Sequence, residues 1–101
     1  MKNKEVEYQF LSKPHPLSSD MGTWIIVSLP KELSIDIRDN FKRLEEGWGR
    51  LKVVVKIGNS EWNTSIWFDT KQDTYLLPLK ATIRKKESIV LNKETNITIW
   101  I

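Results

Sequence analysis

Two stretches of this 101-residue chain follow one plan, and that repetition limits what it can fold into. Thr23–Lys31 reads T-W-I-I-V-S-L-P-K and Thr74–Lys80 reads T-Y-L-L-P-L-K, each a short aromatic-led apolar run interrupted by proline. Proline lacks the amide that a strand ladder needs, so each run is expected to stop there. A charged, helix-tolerant stretch follows in both cases, and then a second alternating run, Arg50–Ile57 in one half and Thr95–Ile101 in the other. Strand, proline turn, helix and strand, twice over, predict a mainly β fold. The expected form is a small closed six-stranded β-barrel of two pseudo-repeated halves, with two short helices. Closure suits many short strands because it removes exposed edges. One domain is expected over residues 1–101, with half one at about 4–57 and half two at about 61–101.

Period-two alternation marks the first strand, where Val6, Tyr8 and Phe10 interleave with Glu5, Glu7 and Gln9. Lys13–Gly22, with two prolines and several small polar residues, reads as a loop. Trp24–Leu29 is apolar on both faces and reads as a strand covered on both sides. Ser34–Glu46 is the better helix, because Leu33, Ile37, Phe41 and Leu44 form one stripe, with Asp39–Arg43 and Lys42–Glu46 spaced to pair on the solvent side. Ile35–Arg38 also alternates, which leaves the helix start open by about a turn. Arg50–Ile57 alternates cleanly and meets Gly58-Asn59, a hairpin signal, before Trp62, Thr64, Ile66 and Phe68 share one face of the next strand. Asp69–Asp73 reads as a turn, Thr74–Leu77 as a short strand, and Leu79–Ser88 as the second helix, started by Pro78.

The absence of cysteine excludes disulfides, thiolate metal sites and cysteine nucleophiles. No apolar run approaches the roughly 20 residues of a membrane span, and the first ten residues do not resemble a secretion signal, so a cytoplasmic, non-membrane protein is expected. The formal net charge is +3, unevenly spread. Residues 1–49 carry seven Lys or Arg against eight Asp or Glu, whereas residues 50–101 carry nine against five. A basic second half favours anionic partners by long-range attraction.

Four residues are the candidate ligand-binding set. Trp62 and Thr64 share a strand face, which would place an indole N–H and a hydroxyl at the barrel mouth, or else put Trp62 in the core. Lys80 and Arg84 are four apart, able to grip one phosphate or carboxylate, unless Arg84 pairs with a carboxylate of its own domain. A nucleic-acid surface would instead use Arg50, Lys52, Lys56, Arg84, Lys85 and Lys86 on phosphates. His15, Ser19 and Asp20 include the residue types of acyl transfer, but nothing in their spacing orients a base against a nucleophile, and scattered carboxylates show no metal-ligand spacing. No catalytic residue, metal or cofactor is expected. Trp67, Trp100 and Val54 face outward and call for cover by the helices or by a second copy, so the chain is expected to be a monomer or a homodimer.

The order of Phe10, Leu29-Pro30, Gly47–Gly49, W-N-T-S at Trp62–Ser65 and L-P-L-K-A-T-I-R-K at Leu77–Lys85 resembles an uncharacterised family of small double-split β-barrels. That family is a domain of unknown function, sometimes found beside bacteriocin-protection-type domains, with a distant fold-level likeness to AbrB-like swapped-hairpin proteins. Its Gly-Asp before the last strand is Glu94-Thr95 here, so Asn92 would have to supply the positive φ. The resemblance implies no catalytic residue. The function expected is a non-catalytic binding or interaction module holding a small ligand or protein partner at the barrel mouth, with DNA or RNA binding as the alternative.

Overall fold

Alternation dictates most of the architecture of the computed structural model, which describes residues 6–47 and 49–101. Glu5, the expected start of half one at residue 4, and the centre of the Gly47–Gly49 step at Trp48 lie outside those residues. Along the chain run β1 (Glu7–Ser12), β2 (His15–Ser19), β3 (Gly22–Ser28), α1 (Lys31–Phe41), a 3-10 turn (Lys42–Leu44), β4 (Arg50–Ile57), β5 (Ser60–Asp69), β6 (Thr74–Pro78), α2 (Ala81–Lys86) and β7 (Thr95–Trp100). The strands form one curled antiparallel sheet in the order β1-β7-β4-β5-β6-β3-β2.

The expected closed six-stranded barrel is therefore corrected to a seven-stranded curled half-barrel. The outer strands β1 and β2 are consecutive in the chain, joined by Lys13-Pro14, and Ser12 Oγ at the end of β1 donates to Ser28 O of β3 at 2.7 Å. No ladder pairs them, so the hydrogen-bonded circle is not made. The added strand comes from the segment read as a loop. Pro16 is tolerated there because β2 is an edge strand, and Pro16 faces Ile25 in the ladder with β3.

The repeat is present but displaced from the prolines. Leu29 N–H donates to Tyr75 O and Leu79 N–H to Ile25 O, both at 2.9 Å. Ser34 N–H bonds Pro30 O at 2.9 Å, as Arg84 N–H bonds Lys80 O at 3.0 Å. At one constant offset, Ile25 corresponds to Tyr75, Leu29 to Leu79, Pro30 to Lys80 and Ser34 to Arg84. Pro30 and Lys80 are the two helix N-caps, with nearly the same backbone angles. Pro78 instead is the last residue of β6, two positions earlier in the plan.

Inward-facing residues of the strands, including Val53, Val55, Ile66, Leu77, Ile97 and Ile99, merge with Ile37 of α1 into one core. α1 starts three residues before the expected Ser34, directly after Pro30. It also ends early, so Leu44 falls in the 3-10 turn, off the stripe, and is 51 % exposed. The expected pairs Asp39–Arg43 and Lys42–Glu46 are lost with that turn; Glu45 lies near Arg38 at 3.9 Å and Glu46 near Lys52 at 3.8 Å instead. Trp67, Trp100 and Val54 find cover across the sheet rather than under the helices. Trp67 meets Trp24 edge-on at 5.9 Å, Trp100 donates to Glu7 Oε1 at 2.8 Å, and Val54 lies opposite Trp100. Asn92 takes φ +65, which restores the turn that the missing glycine would have made. Among the described residues no helix is long and apolar enough to cross a membrane.

Candidate ligand-binding groove

The sheet parts where β6 ends. β6 pairs with β5 only over Trp67–Asp69 and with β3 only over Ile26–Ser28, then leaves at Pro78. Beyond that point β5 and β3 have no strand between them, and α2 enters the space. The matching place in half one is occupied by α1, where Tyr75 N–H donates to Ser34 Oγ at 3.0 Å and Tyr8 O–H to Asp36 at 3.3 Å. α1 has 11 residues and α2 only six, so half two keeps a groove of about 780 Å³. A volume of that size suits a small organic ligand.

Its walls are mixed in chemistry. Trp24 from β3 and Trp67 from β5 reach each other across the parting, and Ile25, Pro78 and Leu79 extend the apolar side. Thr23, Asn63, Thr64 and Ser65 contribute polar groups. Arg50 and Lys52 enter from β4, Lys80 from the N-cap of α2 and Arg84 from its last turn. The lining includes no aspartate or glutamate. Among the described residues, no carboxylate lies within ion-pair distance of Arg50, Lys80 or Arg84, and Lys52 has only the solvent-exposed Glu46. Arg84 does not make the expected intradomain pair with a carboxylate. Its Nε donates to Leu79 O at 3.2 Å, which holds the guanidinium against the groove wall.

Three of the four expected ligand-binding residues meet here: Thr64, Lys80 and Arg84. Trp62 does not. It belongs to the core at 9 % exposure, and its Nε1 is buried without a hydrogen-bond partner among the described residues. Strand parity gave its facing but not its depth. The nucleic-acid set is divided in the same way. Arg50, Lys52 and Arg84 line the groove, whereas Lys85 and Lys86 follow on α2 outside it. Lys56 stands roughly 20 Å along β4 from Arg50, opposite Glu61. Trp24 and Trp67, the aromatic walls, were not among the expected site residues; an aromatic in the outward phase of two strands was the available signal.

His15 and Ser19 are engaged with nearby backbone. The His15 ring nitrogen Nδ1 is 3.1 Å from Lys13 O, and Ser19 Oγ serves the β2–β3 turn, donating to Gly22 O and accepting from Met21 N–H. A second polar cluster lies on the α1 side. Tyr75 O–H donates to Glu45, Glu45 faces Arg38, and the Arg38 guanidinium stacks 3.8 Å over Phe68. Burial, then the hydrogen bond and charge of Glu45, hold the Tyr75 hydroxyl well above the usual tyrosine range. This cluster fastens α1 to the sheet.

No curated protein matches the chain. A family model does, over residues 15–99, which include every residue of the groove but not β1. The chain belongs to the family described as Domain of unknown function (DUF1905).

Proposed function

We propose that the protein is a non-catalytic binding module whose groove takes a small anionic ligand. One observation carries this reading: four cations and two tryptophans line one groove that includes no carboxylate. Among the described residues only Lys52 of the four cations has a carboxylate nearby, the solvent-exposed Glu46, so an anion entering the groove gains attraction without displacing a buried ion pair. The two partings, each entered by a helix, also support placing the curled sheet in the double-split barrel class.

A thermal-shift screen of small anions, cations and neutral compounds tests the reading. A ligand at 100 times its Kd stabilises the fold by about 2.7 kcal/mol, a readily measured rise in Tm. Anionic members are expected to raise Tm, and Trp67→Ala is expected to abolish the rise while His15→Ala leaves it intact. No shift with any anion, together with saturable binding of a single-stranded oligonucleotide that weakens steeply with salt, would replace this reading by nucleic-acid binding.

A further inference from the structure

The two halves differ at one atom pair, and the difference points to what the groove holds. In a strand, the N–H and C=O of one residue leave on the same side. Tyr75 shows both in use: its carbonyl accepts from Leu29 N–H, and its amide donates to Ser34 Oγ. Ile25 is its counterpart. The Ile25 carbonyl accepts from Leu79 N–H, so its amide is directed toward the same parting. Where half one has the Ser34 hydroxyl, half two has Arg84, which has no acceptor atom. Leu79 O, the other acceptor within reach of such a pair, takes the Arg84 Nε. Among the described residues no side chain accepts from the Ile25 amide.

Resting on the reading of the groove as an anion-binding site, we infer that its ligand is a planar aromatic or heteroaromatic acid. The acid group, a carboxylate or phosphate, accepts from the Ile25 amide, the free guanidinium N–H groups of Arg84 and the Lys80 ammonium. The ring lies against Trp24 and Trp67, whose edge-to-face contact leaves an indole face for stacking. Donors and aromatic surface adjoin in the groove, with Arg50 opposite Trp67 in the β4–β5 ladder and Ile25 next to Trp24 in β3, and a molecule that joins a charged group to a ring uses both. An inorganic anion would leave the tryptophans unused, and a neutral ring would leave the Ile25 amide unmet.

Calorimetric titration of the whole chain with phenyl phosphate, phenol, indole-3-carboxylate, indole-3-carboxamide and inorganic phosphate tests the assignment. Each charged aromatic is expected to bind at least roughly tenfold more tightly than its neutral partner, and phenyl phosphate at least roughly tenfold more tightly than inorganic phosphate. The tighter of the two charged aromatics tells a phosphorylated ring from an aromatic carboxylic acid. Arg84→Ser, which restores the half-one acceptor opposite Ile25, is expected to lower both to the affinity of the neutral compounds; exposed Lys80→Met gives a second variant with the same expected direction. Equal binding of charged and neutral rings overturns the assignment while the groove remains a binding site. Tight inorganic phosphate without any gain from the ring overturns it while the groove remains an anion site. If none of the five binds but other small anions raise Tm, the inferred ligand class is wrong and the wider reading stands.

Discussion

Gly58→Ala is expected to destabilise the protein by about 3 kcal/mol, the larger of two stability losses that the fold implies. Gly58 opens the two-residue turn between β4 and β5 at φ +58, where a side chain costs about 1–2 kcal/mol. An added methyl would also collide with the Glu87 carboxylate. Glu87 is not idle there: it accepts from Ser60 Oγ at 2.5 Å and from Asn59 N–H at 3.4 Å, tying the hairpin to the end of α2. The carboxylate can swing away, but only by giving up a charge-assisted hydrogen bond worth about 1.5–3 kcal/mol. Chemical denaturation checks this through a double-mutant cycle. In a Glu87→Ala background the Gly58→Ala cost is expected to fall to about 1–2 kcal/mol, the backbone part alone. An unchanged cost would show that Glu87 does not occupy the space.

Tyr75→Phe is expected to cost about 2 kcal/mol and to lower Tm by roughly 10 °C in a domain of this size. The ring is fully buried and its hydroxyl donates to Glu45, whose side chain is only 8 % exposed, so removing the hydroxyl takes one donor from a largely desolvated carboxylate. The same pair sets a pH dependence. In the unfolded chain tyrosine ionises near about pH 10, whereas burial and Glu45 keep the folded Tyr75 hydroxyl protonated to higher pH. Its stabilising contribution is therefore complete below about pH 10 and is lost as pH rises toward the folded value. Denaturation curves across that range are expected to show a smaller alkaline slope for Tyr75→Phe than for the native chain. Equal slopes would mean that Tyr75 titrates normally.

Local patterns foretold the elements whose causes are local. The β4–β5 hairpin was legible in every respect, because strict alternation sets the faces and Gly58-Asn59 sets the register Ile57 to Ser60. β2 was not legible, since Pro14, Pro16 and its small polar residues carry loop chemistry and only a place on the sheet edge makes them a strand. The duplication was visible, but the prolines suggested the wrong alignment. Pro30 caps a helix, Pro78 ends a strand, and the equivalence at Leu29 and Leu79 appears only in the hydrogen bonds.

The groove was half legible for the same reason. Lys80 and Arg84 could be paired from helical spacing, and Thr64 from strand parity. Trp24 and Trp67 could not, because their meeting depends on where β6 leaves the sheet, and no short stretch of sequence records that. For Trp62 the sequence left both the mouth and the core open, because parity cannot distinguish the floor of a core from its rim, and it lies in the core. Arg84 shows the limit most clearly, since the role proposed for it rests on comparison with Ser34 in a half of quite different sequence.

Amide and indole nuclear magnetic resonance spectra recorded during a phenyl phosphate titration show whether the groove takes an aromatic anion at the Ile25 amide. Saturable shifts are expected, concentrated at the Ile25 amide and at the Trp24 and Trp67 indole N–H groups, with the Tyr75 amide, already bonded to Ser34, unmoved. Shifts centred on Lys56, Lys85 and Lys86, or equal movement of the Ile25 and Tyr75 amides, would contradict that assignment.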